Sequence, residues 1–266
     1  MRRKRLSIWA ILFFGVFTGL SLIDAHEAGQ PIIAKTKYSD WDVPVITYDA
    51  VKHFQADNSG NSDASHAIQN AMNACFKAGG GTVYLPEGVY LIQNRIIIPN
   101  AVTLRGDWAR PKEDDKSVRG TILHIVHDQN DPDAIGTILI NDSAGIRDLS
   151  IFYPRQTSLP SVIRYPFAIE GVGSNSCVLN VTLVNAYQGI RYTRQPTGSV
   201  VFPYIRNVYG SPIFTGIRIH NTTATPRVEN VHFSPAYWVE SKLDQSITYD
   251  LVKKSIYSVK GVGISI

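Results

Sequence analysis

The sequence predicts an all-β fold, a parallel β-helix, and three observations carry the prediction. A phrase with Asp or Asn between two aliphatic runs recurs as Ile146-Arg147-Asp148-Leu149-Ser150-Ile151, Val178-Leu179-Asn180-Val181-Thr182-Leu183, Ile205-Arg206-Asn207-Val208-Tyr209 and Val228-Glu229-Asn230-Val231-His232-Phe233. Its polar positions lie 32, 27 and 23 residues apart, a spacing that belongs to stacked coils. A second phrase alternates with it at Gly189-Ile190-Arg191-Tyr192, Gly216-Ile217-Arg218-Ile219 and Gly263-Ile264-Ser265-Ile266, with a weaker copy at Ala168-Ile169-Glu170. Asp and Asn tolerate left-handed backbone better than other non-glycine residues, so each first phrase reads as strand, one-residue corner, strand. The second phrase then supplies the third strand of each coil. A β-sandwich with loosely spaced strands leaves the repeated corner unexplained.

The elements follow in order. Met1-Arg2-Arg3-Lys4-Arg5 precedes an apolar run from Leu6 to Ile23, with small residues at Ala25 and Ala28, which is the form of an export signal over residues 1–25; left uncleaved, the run would act as a membrane anchor. Residues 26–50 read as an extended, proline-containing lead-in with Trp41, laid along the first coils. Helical periodicity then appears from Ala64 to Ala78, where Ala67, Ile68, Ala71, Met72 and Cys75 share a face, Ser62 or Asp63 is the expected N-cap, and Gly79-Gly80-Gly81 ends the helix. A solenoid needs a lid over its first coil, and this amphipathic helix is the expected cap.

Strands follow at Thr82–Leu85, Val89–Ile92, Ile96–Ile98 and Val102–Leu104, then a charged loop from Asp107 to Arg119, and strands again at Thr121–Val126 and Thr137–Ile140 before the four phrases begin. Between Ala236 and Val259 the pattern lapses into a polar, tyrosine-rich, partly helical insertion. A coil restarts at Gly261 and stops within a strand at Ile266, so the β-helix over residues 51–266 is expected to be truncated at its C-terminus.

Composition bounds the function. The hydrophobic fraction of 44% over 266 residues supplies one substantial core. Four of the 26 basic residues, against one of the 22 acidic ones, sit in the leader, so the net charge of +4 does not describe the body of the chain. No basic stripe remains there, which argues against a nucleic-acid partner. Cys75 and Cys177 read as two buried thiols rather than a disulfide framework.

Val51-Lys52-His53-Phe54-Gln55-Ala56, Asp63-Ala64-Ser65-His66-Ala67-Ile68-Gln69-Asn70-Ala71, Gly79-Gly80-Gly81-Thr82-Val83-Tyr84-Leu85-Pro86-Glu87-Gly88-Val89-Tyr90 and Val102-Thr103-Leu104-Arg105-Gly106-Asp107 closely resemble the opening of the pectate lyase superfamily, in its rhamnogalacturonase and epimerase-like branch. The resemblance implies a single-stranded right-handed parallel β-helix (pectin lyase-like) and a polysaccharide substrate. It departs at Gln55, where the family has Gly, at Asn58-Ser59-Gly60, where D-G is common, and at Ala64-Ser65 in place of D-T.

The chemistry is less legible. Hydrolysis of this type needs facing carboxylates, one to protonate the leaving oxygen and one to activate water. Near matches to the family's G-H-G and R-I-K motifs occur at Gly261-Val262-Gly263 and Arg218-Ile219-His220, in reversed order. Strand alternation places Glu170, Arg191 and Arg218 in one outward column with His220 two residues beyond, on the sheet that carries the family's groove. Arg218 and His220 are the catalytic candidates, Arg218 being the nominated base for β-elimination. Glu170 and Arg191 are substrate-binding candidates, and Tyr237 and Trp238 a candidate sugar-stacking platform. Asp128, Asn130, Asp131 and Asp133 offer oxygens to calcium, the one cofactor the pattern admits; no metal site is otherwise expected. The expectation is an exported protein acting on pectin-like uronate polysaccharide by hydrolysis or elimination, with a non-catalytic, tailspike-like binding scaffold as the alternative. The sequence sets no oligomeric state.

Overall fold

The corner residues decide the architecture. In a computed structural model describing residues 32–39, 42–159, 161–193, 200–257 and 263–265, Asp148, Asn180, Asn207 and Asn230 all take left-handed φ between 51° and 58°. Each bends one long strand over a single residue. The expected export signal, Trp41, the restart at 261–262 and Ile266 lie outside the described residues.

The chain opens with an antiparallel pair, Ile32–Ile33 (β1) and Val45–Ile46 (β2). Tyr48–Asp49 (β3) leads into helix α1 (Ala50–Phe54), and Ser59–Asp63 (β4) into helix α2 (Ser65–Lys77). The coils then run through Gly81–Tyr84 (β5), Gly88–Ile92 (β6), Ile96–Ile98 (β7), Val102–Arg105 (β8), Thr121–Ile125 (β9) and Ile138–Ile140 (β10). From Gly145–Phe152 (β11) the bent long strands alternate with short ones: Phe167–Gly171 (β12), Cys177–Val184 (β13), Gln188–Tyr192 (β14), Tyr204–Gly210 (β15), Thr215–Ile219 (β16) and Arg227–Phe233 (β17). Short helices Ala236–Glu240 (α3) and Tyr249–Val252 (α4) and a π-helical turn at Lys253–Tyr257 precede Ile264–Ser265 (β18).

Pairing between coils is parallel throughout. One sheet runs β18-β16-β14-β12-β10-β7; the long strands form the rest, the first half of β11 pairing with β8 and its second half with β9. Because the register is regular, like side chains stack. Ile96, Ile138, Ile169, Ile190 and Ile217 form one interior column, and Val83, Leu104, Ile146, Val178 and Ile205 another, all fully buried. Each such side chain contributes about 1.5–3 kcal/mol by leaving water. The parallel β-helix expected from the repeats is therefore the fold.

The corners form a second column. Asn180 donates its Nδ2 to Asp148 Oδ1 at 2.6 Å, Asn207 to Asn180 at 2.7 Å, and Asn230 to Asn207 at 2.6 Å. This ladder satisfies the buried Asn180 amide and carries on through the half-buried Asn207 to the exposed Asn230.

The cap helix α2 buries Ile68, Ala71, Met72 and Cys75 against the first coil, as its periodicity requires. Its N-cap position is Ala64, with no side-chain bond; Asp63, one residue earlier, instead accepts from the Ser65 amide at 3.0 Å. At its other end Gly80 has φ +100°, and a Cβ there would lie 2.5 Å from the Ala101 carbonyl oxygen. Helix α1 was not expected, being too short to show a period. Gln55 ends it at φ 59°, which explains why the family prefers Gly there. The lead-in is strapped down by Asp107, whose buried carboxylate accepts from the amides of Lys37, Tyr38 and Ser39 at 2.6, 2.9 and 2.7 Å. Both cysteines are free; Cys75 is buried, but Cys177 is only half-buried, because it stands on the outward side of β13 opposite Gly145.

Candidate functional site

The groove lies on the sheet of short strands. There the register sets Leu139, Glu170, Arg191 and Arg218 side by side on β10, β12, β14 and β16. The alternation that turns Ile169, Ile190 and Ile217 inward turns these residues outward. Glu170, Arg191 and Arg218 line a depression of about 450 Å³ together with Asp133, Ile135, Thr193 and His220.

Its charges are not equivalent. Glu170 is almost fully buried, and its Oε2 accepts from the Gly136 amide at 2.7 Å and from Arg191 at 2.7 Å. This approach needs glycine, since a Cβ at position 136 would lie 2.6 Å from Glu170 Cβ. Arg191 and Glu170 thus neutralise each other. Arg218 has no ion-pair partner among the described residues; its guanidinium rests over the Phe167 ring at 5.5 Å, while that of Arg191 lies 4.8 Å from the same ring. A phenyl face attracts both cations. Phe167 is 1% exposed, so this support is rigid.

The wall is a loop pinned from below. Arg95 donates to the carbonyls of Gly136 and Ile135 at 3.0 Å each and pairs with Asp128 at 3.0 Å. Gln188 Nε2 donates to the Pro132 carbonyl at 2.8 Å. These bonds hold Asp133 and the exposed Ile135 beside the column. On the far side the His220 amide donates to the Tyr192 carbonyl at 2.9 Å, which leaves the exposed imidazole at the groove edge.

Of the sequence candidates, Glu170, Arg191, Arg218 and His220 come together here. Tyr237 and Trp238 do not. Both are 1% exposed, Trp238 in the main core and Tyr237 against Trp108 and Tyr209, because α3 folds its aromatic side back onto the coils. Neither lines the groove. The calcium candidates also separate: Asp128 is taken up by Arg95 and by His127 at 2.8 Å, Asp133 lines the groove, and no group of three metal-ligating side chains occurs among the described residues. Phe167, Asp133 and Ile135 were missed. Phe167 stands one residue before the weak copy of the second phrase, and the loop carries no coil signal at all.

Comparison with known proteins places this geometry in context. The model of a family described as rhamnogalacturonase A/epimerase, pectate lyase-like, matches residues 49–225. A stretch of 42 residues is 55% identical to alginate lyase 7 of Azotobacter vinelandii, over 16% of this chain and 5% of that protein. It is equally identical to mannuronan C5-epimerase AlgE5 of the same organism, over 4% of that protein. Among solved structures, the A-module of Azotobacter vinelandii mannuronan C-5 epimerase AlgE6 superposes with TM-score 0.48 at 18% identity, over 70% of this chain and 56% of that one. The iota-carrageenase of A. fortis gives 0.47 at 19% identity, over 77% and 41%. In each case this chain spans less than two thirds of the other protein.

Proposed function

The chain belongs to the rhamnogalacturonase A/epimerase, pectate lyase-like family, and from that premise we propose that its groove takes an anionic, uronate-type polysaccharide and removes the proton beside the uronate carboxylate. One observation carries the reading: Arg218 is a half-buried cation in the groove with no carboxylate partner among the described residues, while its neighbour Arg191 is already neutralised by Glu170.

A guanidinium stays protonated across the usable pH range and presents a fork that matches a carboxylate. Arg218 is thus better suited to hold the uronate carboxylate than to act as the base for which its position alone nominated it. Holding that carboxylate stabilises the charge that develops when the adjacent C–H is broken. The proton acceptor is His220, two residues on and roughly 7 Å along an extended chain, a side chain of the type most often used as a general base. In β-elimination the C5–H and C4–O bonds break, a C4=C5 double bond forms, and the departing glycosidic oxygen takes up a proton. Hydrolysis is less well supported, since Glu170 Oε2 is occupied by Arg191 and the Gly136 amide. The basic and apolar leader of residues 1–23 supports export of the protein.

The test is incubation of the purified chain with polygalacturonate, rhamnogalacturonan and polymannuronate. The expected result is an ultraviolet-absorbing unsaturated product. New reducing ends without that absorbance would replace elimination by hydrolysis, and retention without turnover would replace catalysis by a binding scaffold.

A further inference from the structure

Two stretches interrupt the coils, the charged loop after β8 and the insertion after β17, and they meet over the same outer face. Trp108 from the first lies 5.8 Å from the Tyr209 ring and donates to Thr182 Oγ1 at 2.9 Å; Tyr237 from the second completes that cluster, and Lys116 sits 5.7 Å from its ring. Insertions in stacked-coil proteins gather on a binding face. Here they enclose a pocket of about 230 Å³ that shares no residue with the groove.

Its floor is the outward column His124, Phe152 and Val184. Neither ring nitrogen of His124 has a hydrogen-bond partner among the described residues, and the ring packs 5.1 Å from Phe152. Burial lowers its pKa below the ordinary histidine value of 6.5. The imidazole is therefore held neutral near pH 7, with one nitrogen donating and the other accepting. The rim carries Ser241 Oγ, whose proton goes to the Trp238 carbonyl, the Glu240 carboxylate and the Lys116 ammonium. A hydroxyl group is likewise donor and acceptor at once, so this wall matches a ring of hydroxyls over an apolar floor. The volume falls below the roughly 300–1,000 Å³ of sites for larger ligands, which limits the occupant to a single ring.

We propose that the pocket around His124 is a second carbohydrate site, holding one monosaccharide unit over the Phe152 edge, independently of the groove, with His124 donating and accepting and with Glu240 and Ser241 Oγ accepting from the sugar hydroxyls. The experiment follows the His124 imidazole resonances, assigned through His124→Phe, while D-galacturonic acid or L-rhamnose is added to the full chain. The proposal expects a saturable shift of His124 with at least one of the two sugars. That shift should persist in Arg218→Ala and weaken about tenfold in Glu240→Gln, as loss of a hydrogen bond to a charged group predicts, with an unchanged melting temperature. No saturable shift with either sugar would overturn it. So would a shift lost in Arg218→Ala, which would assign the sugar to the groove, or one indifferent to Glu240→Gln.

Discussion

Asn180 donates to Asp148 at 2.6 Å, and the difference of one atom group between these two residues sets the direction of the whole corner ladder. Each Asn donates to the rung before it; Asp148 has no amide to donate, so the series starts there. Its other oxygen receives Arg147 Nε at 2.9 Å and Arg105 Nε at 3.1 Å. Those arginines are held from outside by Asp42, at 3.3 Å in the case of Arg147. Asp148→Asn keeps the left-handed corner but leaves Arg147 and the nearly buried Arg105 paired with Asp42 alone. Burial pushes the Asp148 pKa up despite the two arginines, so the ion-pair gain is partly offset and the expected cost is about 1–3 kcal/mol. Asn180→Asp should cost a similar amount by setting a second carboxylate against the first, and acid should partly relieve it. Urea denaturation of both variants measures this.

Gln55 ends α1 at φ 59°. A side chain there costs about 1–2 kcal/mol, more than the roughly 0.4–1 kcal/mol of unfolded-state entropy that glycine adds. Gln55→Gly should therefore stabilise the protein, raising the melting temperature by about 2 °C for a chain of this size. Calorimetry of the pair checks it.

Asp63 ties the start of α2 to the next coil. Burial works against its ionisation, but hydrogen bonds from Ser65, Gln93 and Asn94 outweigh burial and bring its pKa below the ordinary aspartate value of 3.8. A carboxyl lowered on folding adds stability above its unfolded pKa and loses it as pH falls through the folded value. Wild type should be more stable than Asp63→Asn above pH 3.8, and the gap should close below it. Thermal melts of both proteins as a function of pH read the gap directly.

Phe167 carries Arg218 and Arg191 on one ring. Phe167→Leu should preserve the fold, because leucine leaves only a small void at the site, yet reduce kcat on a uronate polymer about tenfold through loss of cation–π support of about 1–2 kcal/mol. Phe167→Tyr should retain activity. Equal activity in the leucine and tyrosine variants would remove the positioning role.

The fold was legible because its two repeating requirements are local. A one-residue corner demands Asp or Asn at 148, 180, 207 and 230, and an interior column demands Ile or Val at fixed offsets, so both leave periodic marks. The outward column Glu170, Arg191 and Arg218 followed from the same period. What the sequence could not disclose depends on where loops fold back. Asp107 meets Lys37 to Ser39 about 70 residues away in the chain, Asp133 and Ile135 reach the groove only because Arg95 and Gln188 pin their loop, and Tyr237 and Trp238 turn inward because the insertion closes over a face that no periodicity identifies.

The central claim is that Arg218 receives a uronate carboxylate in the groove. The most direct measurement compares polygalacturonate with its fully methyl-esterified form, in wild type and in Arg218→Gln. Wild type should bind and process the free acid well ahead of the ester, and the variant should lose that preference while keeping its melting temperature. Equal handling of acid and ester by wild type, or an undiminished preference in Arg218→Gln, would contradict it.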